Sequence, residues 1–400
     1  MKSAQKTVFL LALCQALAMT GSIILSTIAA LIGSTLTADK SLATLPLALL
    51  QLATMLTTLP AAFILKRCGR KLGFMAGVLV GLSGAILGAY AIFTGSFVWF
   101  NVATLLYGIF NGFVSYYRFA AADIATEAFR SRAISFVIAG GIVAALIAPT
   151  LATWTKDWLP ATFAGGLVAI ALVQILTLLL LSVIEMPPLP PQIHQEHGRR
   201  LSMIVQQPVF IVAVLGSMMG YGVMLLLMTA TPLAMVKVQH PFHIAASVIQ
   251  WHVLGMFTPS LFTGYLIARF GVLTIILIGI LLNGLCVGIN LMGTTAPHFF
   301  AALLLLGVGW NFMFIGSTTL LTKVYTSAER AKTQATHDFL MLSFVAFTTF
   351  LSGRLLNDWG WAVVNYTGLA LIAVALVAVL YLWQRRSLLQ NPIVLTSDQS

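Results

Sequence analysis

Apolar residues run along this chain in stretches of about 20 or more, broken by short clusters of glycine, proline and charge. A run of that length suits an α-helix crossing about 30 Å of hydrocarbon, at about 1.5 Å of rise per residue. Twelve such runs fall at residues 8–33, 43–65, 72–94, 98–122, 133–153, 159–184, 208–232, 244–268, 272–293, 297–321, 333–353 and 361–384. The breaks between them are short, as at Lys66 to Lys71, Gly95 to Phe97 and Trp154 to Trp158. A membrane β-barrel would instead show alternation over segments of about ten residues. The pattern predicts an all-α polytopic membrane protein with twelve transmembrane helices.

The first run follows Lys2 and Lys6, and Ala16-Leu17-Ala18 looks like a leader cleavage site. Yet the run continues to Gly33, beyond the apolar core of a leader, so an uncleaved first helix is expected. Composition agrees with a membrane chain. Of 400 residues 60% are hydrophobic and 8% charged, where a soluble domain carries about 25% charge. So few charges cannot cover a soluble surface. A soluble enzyme, a nucleic-acid-binding protein and a disordered chain are excluded as readings of the whole.

The net charge of +11 is better read as topology than as a sign of an acidic partner. With the N-terminus cytoplasmic, only Lys40, Lys156, Lys237 and Arg354 fall in outer loops, and the rest of the 21 Lys and Arg lie on the cytoplasmic side. Such asymmetry is the positive-inside pattern. It predicts both termini in the cytoplasm, and the compact loops suggest a bacterial inner membrane. Cys14, Cys68 and Cys286 are scattered and imply neither a disulfide framework nor a metal site.

The chain reads as a duplication. Arg67-Cys68-Gly69 after the second run precedes Arg269-Phe270-Gly271 after the eighth by 202 residues. At an offset of 200, Leu105-Leu106 matches Leu305-Leu306, Asn111 matches Asn311, Arg130 matches Arg330, and Arg132 matches Lys332. This divides the chain into an N-terminal six-helix bundle (1–184), a cytoplasmic linker (185–207), a C-terminal six-helix bundle (208–384) and a cytoplasmic tail (385–400). Pro187, Pro188, Pro190 and Pro191 make the linker an irregular strap. His194 and His197 within it read as solvated linker residues rather than metal ligands.

Six plus six helices around a central cytoplasmic loop resemble the major facilitator superfamily, over about residues 5–385. The family signature between the second and third helices, G-x-x-x-D-R-x-G-R-K, aligns with Ala62 to Lys71. Arg67, Gly69, Arg70 and Lys71 match, whereas Ala62 replaces the glycine and Lys66 the aspartate. In the second half Gly264, Arg269 and Gly271 match and Ala268 stands at the acidic position. Asp123, Arg130 and Ala133 fit a second family pattern, as does Glu329-Arg330. The resemblance implies two bundles that rock around a site near the midplane. It makes Lys66, Arg67, Gly69, Arg70, Asp123, Arg130, Arg269, Arg330 and Asp338 candidates for gating. The antiporter marks are weak: residues 98–108 hold no arginine, and Pro149 lacks the glycines that follow it in that pattern.

Candidate substrate contacts come next. Arg118 lies about 7–13 Å inward of the expected interface at 1.5 Å per residue. Its planar fork suits a carboxylate, and Tyr116 and Tyr117 beside it could stack a ring; a gate ion pair with Asp123 or Glu127, or snorkelling to the headgroups, is the rival reading. By the resemblance the first, fourth, seventh and tenth helices line the cavity, which adds Gln15, Asn111, Tyr221, Trp310 and Asn311. Trp310-Asn311 offers a stacking face beside an amide. Interhelical hydrogen bonding is the alternative for each. Asp338 is paired with Lys66 as a cytoplasmic latch. His252, His337 and Asp338 are candidates for proton coupling. Gly77, Gly81, Gly84 and Gly88 on the third helix, with Gly216 and Gly220 on the seventh, are packing positions.

The function expected is a secondary active or facilitative transporter of a small organic solute, working by alternating access. The solute is amphipathic, aromatic or weakly anionic. A multidrug/proton antiporter is the alternative within the class. An intramembrane enzyme or a channel is remote: no HExxH, GxSxG or nucleotide loop is present, and no pore signature. No cofactor is implied. The partners expected are the solute, the lipid bilayer and protons, with a monomer as the default state.

Overall fold

The computed structural model describes all residues except 1, 127–128, 187–197, 327 and 386–400, and the side chains of 2–4, 130–132, 134–135 and 138 are also left aside. His194, His197 and Glu127 therefore lie outside the described residues, as does the Arg130 side chain. The described elements are helical throughout: α1 (Lys2–Leu36), α2 (Leu45–Cys68), α3 (Arg70–Phe93), α4 (Phe97–Val114), α5 (Tyr117–Ile124), α6 (Arg130–Thr155), α7 (Ala164–Val183), α8 (Leu201–Val205), α9 (Pro208–Lys237), α10 (Phe242–Phe257), α11 (Ser260–Phe270), α12 (Val272–Met292), α13 (Ala296–Leu321), α14 (Arg330–Asp358) and α15 (Trp361–Gln384). Among the described residues ten helices are long and apolar enough to span a membrane, and the bent pair α10–α11 makes an eleventh. The apolar part of α6, Ala139–Thr155, completes the twelve expected from the pattern.

Two expected spans are broken. The run 98–122 divides at Ser115–Tyr116 into α4 and α5. There Tyr116 N–H turns back to the Phe113 carbonyl at 3.0 Å, and the Tyr116 hydroxyl donates to the Thr58 carbonyl at 2.8 Å. The run 244–268 bends by 44° between α10 and α11. Pro259 sits at that break, and a proline has no N–H to continue the ladder.

The chain forms two compact units. The first comprises residues 1–190, 229–250 and 349–358, and the second 191–228, 251–348 and 359–400. In the first, α3 lies against α4 and α7 along its glycines. A Cβ on Gly81 would stand 2.8 Å from Phe110 Cγ, and one on Gly88 would stand 2.9 Å from Leu167 Cδ1. Such separations require the bare backbone, the small-residue packing of membrane helices. In the second unit, α9 approaches α13 in the same way: a Cβ on Gly220 would meet Met313 Cβ at 2.9 Å.

The duplication is written in the backbone. Gly69 joins α2 to α3 at φ 82°, ψ 156°, and Gly271 joins α11 to α12 at φ 87°, ψ 150°. Left-handed φ at this ψ belongs to glycine. Both matched signatures thus make the same turn, 202 residues apart in sequence.

Candidate substrate and coupling site

Three aromatic rings gather in the second unit. Trp310 and Phe314 stand one turn apart on α13 and stack at 5.0 Å between centroids, 8° from parallel. Tyr221 of α9 meets both edge-on, at 5.4 Å from Trp310 and 5.8 Å from Phe314. Positions i and i+4 of a helix share a face, so α13 itself builds the stack. The Trp310 indole is buried, and its Nε1–H has no hydrogen-bond partner. Tyr221 and Phe314 are half-buried. The cluster combines flat apolar faces with one unspent donor. Phe314 is absent from the sequence-based candidates, though its spacing from Trp310 would have revealed it.

Asn311 turns the other way. It is buried, and its amide closes the α10–α11 break. Nδ2 donates to the Met256 carbonyl and to Ser260 Oγ, each at 2.6 Å. Oδ1 accepts from Thr263 Oγ1 at 2.7 Å. Within hydrocarbon a carbonyl released by a break must find a partner, and Asn311 supplies it. The matched Asn111 is half-buried in the first unit and accepts from Ser22 Oγ of α1 at 3.0 Å. Gln15 is half-buried on α1. Arg118 is exposed on α5, its guanidinium carbon 4.8 Å from the Phe119 ring centroid.

The gating candidates occupy helix ends. Lys66, Arg67, Arg269 and Arg330 are exposed. Arg70, at the start of α3, pairs with Asp123 at the end of α5. Arg269 donates to the Tyr265 hydroxyl at 3.3 Å. Sequence reading assigned Arg199 only to the linker, yet among the described residues Arg199 forms the most buried ion pair of the second unit. Its Nε donates to Glu329 Oε1 and its Nη2 to Glu329 Oε2, both at 2.8 Å. The Arg199 and Thr326 backbone N–H groups also donate to that carboxylate, at 2.8 and 2.9 Å.

Of the titratable candidates, His252 is buried with Nδ1 2.8 Å from the Leu303 carbonyl, and its Nε2 has no polar partner. His337 differs: both ring nitrogens are engaged. Nδ1 lies 2.8 Å from Asp338 Oδ1, and Nε2 lies 2.9 Å from Ser217 Oγ of α9.

Twelve helical spans with a duplicated glycine turn are the architecture of a two-repeat polytopic membrane protein. The family model of the Major Facilitator Superfamily matches residues 11–240 and 219–397. The chain belongs to that superfamily, a family of transporters and not of enzymes. A riboflavin transporter of Brucella anthropi is 41% identical over 379 residues, covering 94% of this chain and 95% of that protein. The uncharacterized MFS-type transporter YdeG of Bacillus subtilis is 26% identical over 399 residues, covering 95% of this chain and 92% of its own. Among solved structures, a bacterial homologue of the human lysosomal transporter Spinster, inward-facing and occupied, aligns with a TM-score of 0.70 at 15% identity, over 97% of each chain. A bacterial homologue of the iron transporter ferroportin, outward-facing, aligns at 0.64 and 15% identity, over 95% of this chain and 100% of that one. These two share the fold.

Proposed function

We propose that this superfamily transporter carries riboflavin or a close flavin analogue across a bacterial inner membrane, with both termini in the cytoplasm. The observation that carries the reading is the 41% identity, end to end, with the riboflavin transporter of Brucella anthropi. The aromatic cluster supports it. A flavin presents a flat, uncharged tricyclic ring edged with carbonyl acceptors. The Trp310–Phe314 stack offers a matching face, and the Trp310 Nε1–H offers a donor that lacks a partner. Stacking of this kind contributes about 0.5–1.5 kcal/mol per ring pair beyond burial. Tyr221 braces the stack from α9. Asn311 supports it from behind by fixing α13 to the broken span.

The test is riboflavin counterflow in proteoliposomes, with flavin fluorescence as a second readout. Wild type exchanges labelled riboflavin, and bound flavin is quenched by stacking on the aromatic cluster. Trp310→Ala raises the half-saturation concentration about tenfold, equivalent to about 1.4 kcal/mol, and relieves the quenching. Riboflavin that neither exchanges nor stabilises wild type against heating would sink the assignment.

A further inference from the structure

We propose that His337, held between Asp338 and Ser217, is a proton-binding site that couples proton movement to solute movement. This rests on the chain being a solute transporter, not on the solute being a flavin. The argument is one of proton counting. The Ser217 hydroxyl has a single hydrogen and donates it to the Ala213 carbonyl at 3.1 Å. In that arrangement its oxygen accepts from His337 Nε2–H at 2.9 Å; turned to Nε2 instead, the same hydroxyl donates to the ring. On the other side of the ring, the Asp338 carboxylate accepts from Nδ1–H at 2.8 Å. All three bonds are made together when the ring carries both protons. The imidazolium fits this geometry with the carboxylate as its counter-ion, and the neutral ring fits it once the hydroxyl turns.

Loss of the proton has a defined local consequence. With Nδ1–H kept on Asp338, Nε2 becomes an acceptor. The Ser217 hydroxyl then turns from Ala213 to Nε2. The released carbonyl still accepts from its own helical N–H, so nothing is left unsatisfied. The proton given up is the one on Nε2, and the balance is imidazolium plus water to imidazole plus hydronium. The ring is buried, 1% exposed, while the Asp338 side chain is 48% exposed. The site therefore has a shielded centre with an open rim.

The surroundings make it specific. Asp338 is the one charged group that meets the imidazole among the described contacts, and Ser217 faces it from α9. Helix α9 holds no acid and no other histidine; its ionisable groups are Tyr221 and Lys237, and Lys237 closes the helix. Toward the start of α14, Gln334 donates to the Tyr325 hydroxyl at 2.8 Å. Lys332 donates to the Arg199 carbonyl, and Glu329 is taken up by Arg199. Arg354 and Asp358 pair with each other at the far end of α14. Ser217 stands one turn from Tyr221 on α9, so the proton site and the aromatic cluster share a helix face. A change at the imidazole thus alters the tie between α14 and the helix that carries a ring of the solute site.

The experiment has two arms. Proteoliposomes containing wild type, His337→Gln or Ser217→Ala receive a pH gradient, and riboflavin accumulation is measured beside counterflow. With one proton per solute, one pH unit sustains an about tenfold concentration ratio. Wild type is expected to reach it. His337→Gln is expected to exchange flavin without accumulating it, and Ser217→Ala to shift the pH midpoint of accumulation. Gradient-dependent accumulation in His337→Gln equal to wild type overturns the proposal, as does wild-type accumulation that ignores the gradient. If wild type fails to exchange riboflavin, the flavin assignment falls and the second arm decides the proton site. That arm is nitrogen NMR of histidine-labelled protein, with the His337 signal assigned by its loss in His337→Gln. A signal passing from imidazolium to the Nδ1–H form across the pH range in which the protein stays folded supports the site; one form throughout overturns it.

Discussion

At the scale of single residues, the Arg199–Glu329 pair shows how a charge survives burial. Glu329 is 1% exposed, and the Arg199 guanidinium, with the Thr326 and Arg199 N–H groups, lowers its carboxyl from 4.5 to about 2 against the opposing effect of burial. The carboxylate in turn raises Arg199 above its ordinary value. Because the folded value is depressed, the stabilisation is complete above the ordinary carboxylate range and is lost as pH falls from about 4.5 to about 2. Removing the arginine leaves this carboxylate without its ion-pair partner. Thermal melts of purified protein check this. Arg199→Ala should melt well below Glu329→Gln, which keeps the shape and removes the charge. Glu329→Gln should also flatten the loss of stability on acidification over that window. Sequence reading paired neither residue. Arg199 ends a proline-rich linker and Glu329 lies 130 positions away, and no local period marks a contact of that range.

At the scale of helices, what repeats along the chain was legible and what interrupts it was not. Span length and apolar content follow from hydrocarbon thickness, so the runs could be counted directly from the chain. The glycine turns were legible because two copies occur, Gly69 and Gly271. The break at Pro259 was hidden because α10 and α11 together remain one apolar run of ordinary length. Its repair was hidden too. Asn311 read as a cavity-lining amide, since a polar side chain in a span signals either function or a partner, and only three dimensions show which. The geometry makes a prediction about this element. Asn311→Leu leaves the Met256 carbonyl without its Asn311 donor, while the Thr263 hydroxyl keeps the Pro259 carbonyl at 2.7 Å; an unsatisfied buried group costs about 1–3 kcal/mol. Protein yield and melting temperature should fall sharply. Asn311→Asp keeps the acceptor for Thr263 and loses the donor to Met256, so it should rescue only in part. A normal melt for Asn311→Leu, with altered solute affinity, would return this residue to the solute site.

At the scale of the molecule, the units do not follow the two halves of the sequence. Residues 229–250 and 349–358, from the second half, belong to the unit built by the first. Named contacts account for it. Thr44 Oγ1, just before α2, donates to the Phe350 carbonyl at 3.2 Å and accepts from Gly353 N–H of α14 at 3.1 Å. Gln250 of α10 donates to the Leu146 carbonyl of α6 at 3.2 Å. Phe163 and Phe242 meet edge-on at 5.1 Å, with Lys156 Nζ 6.0 and 5.8 Å from their centroids. These contacts lie near the poorly charged loops that the positive-inside pattern places outside. In an alternating-access cycle the ends of the two halves part on each side in turn, and contacts of this kind would then break once per cycle. Gly353 is the telling position: a Cβ there would stand 2.5 Å from Thr44 Oγ1, a close approach without room for a side chain. Gly353→Leu crowds Thr44 and should disfavour the state in which these ends meet, lowering solute exchange in proteoliposomes. Gly353→Leu combined with Thr44→Gly vacates that space and should restore exchange. Exchange by Gly353→Leu equal to wild type would mean that this close approach is not part of the cycle, and that the outer path opens elsewhere.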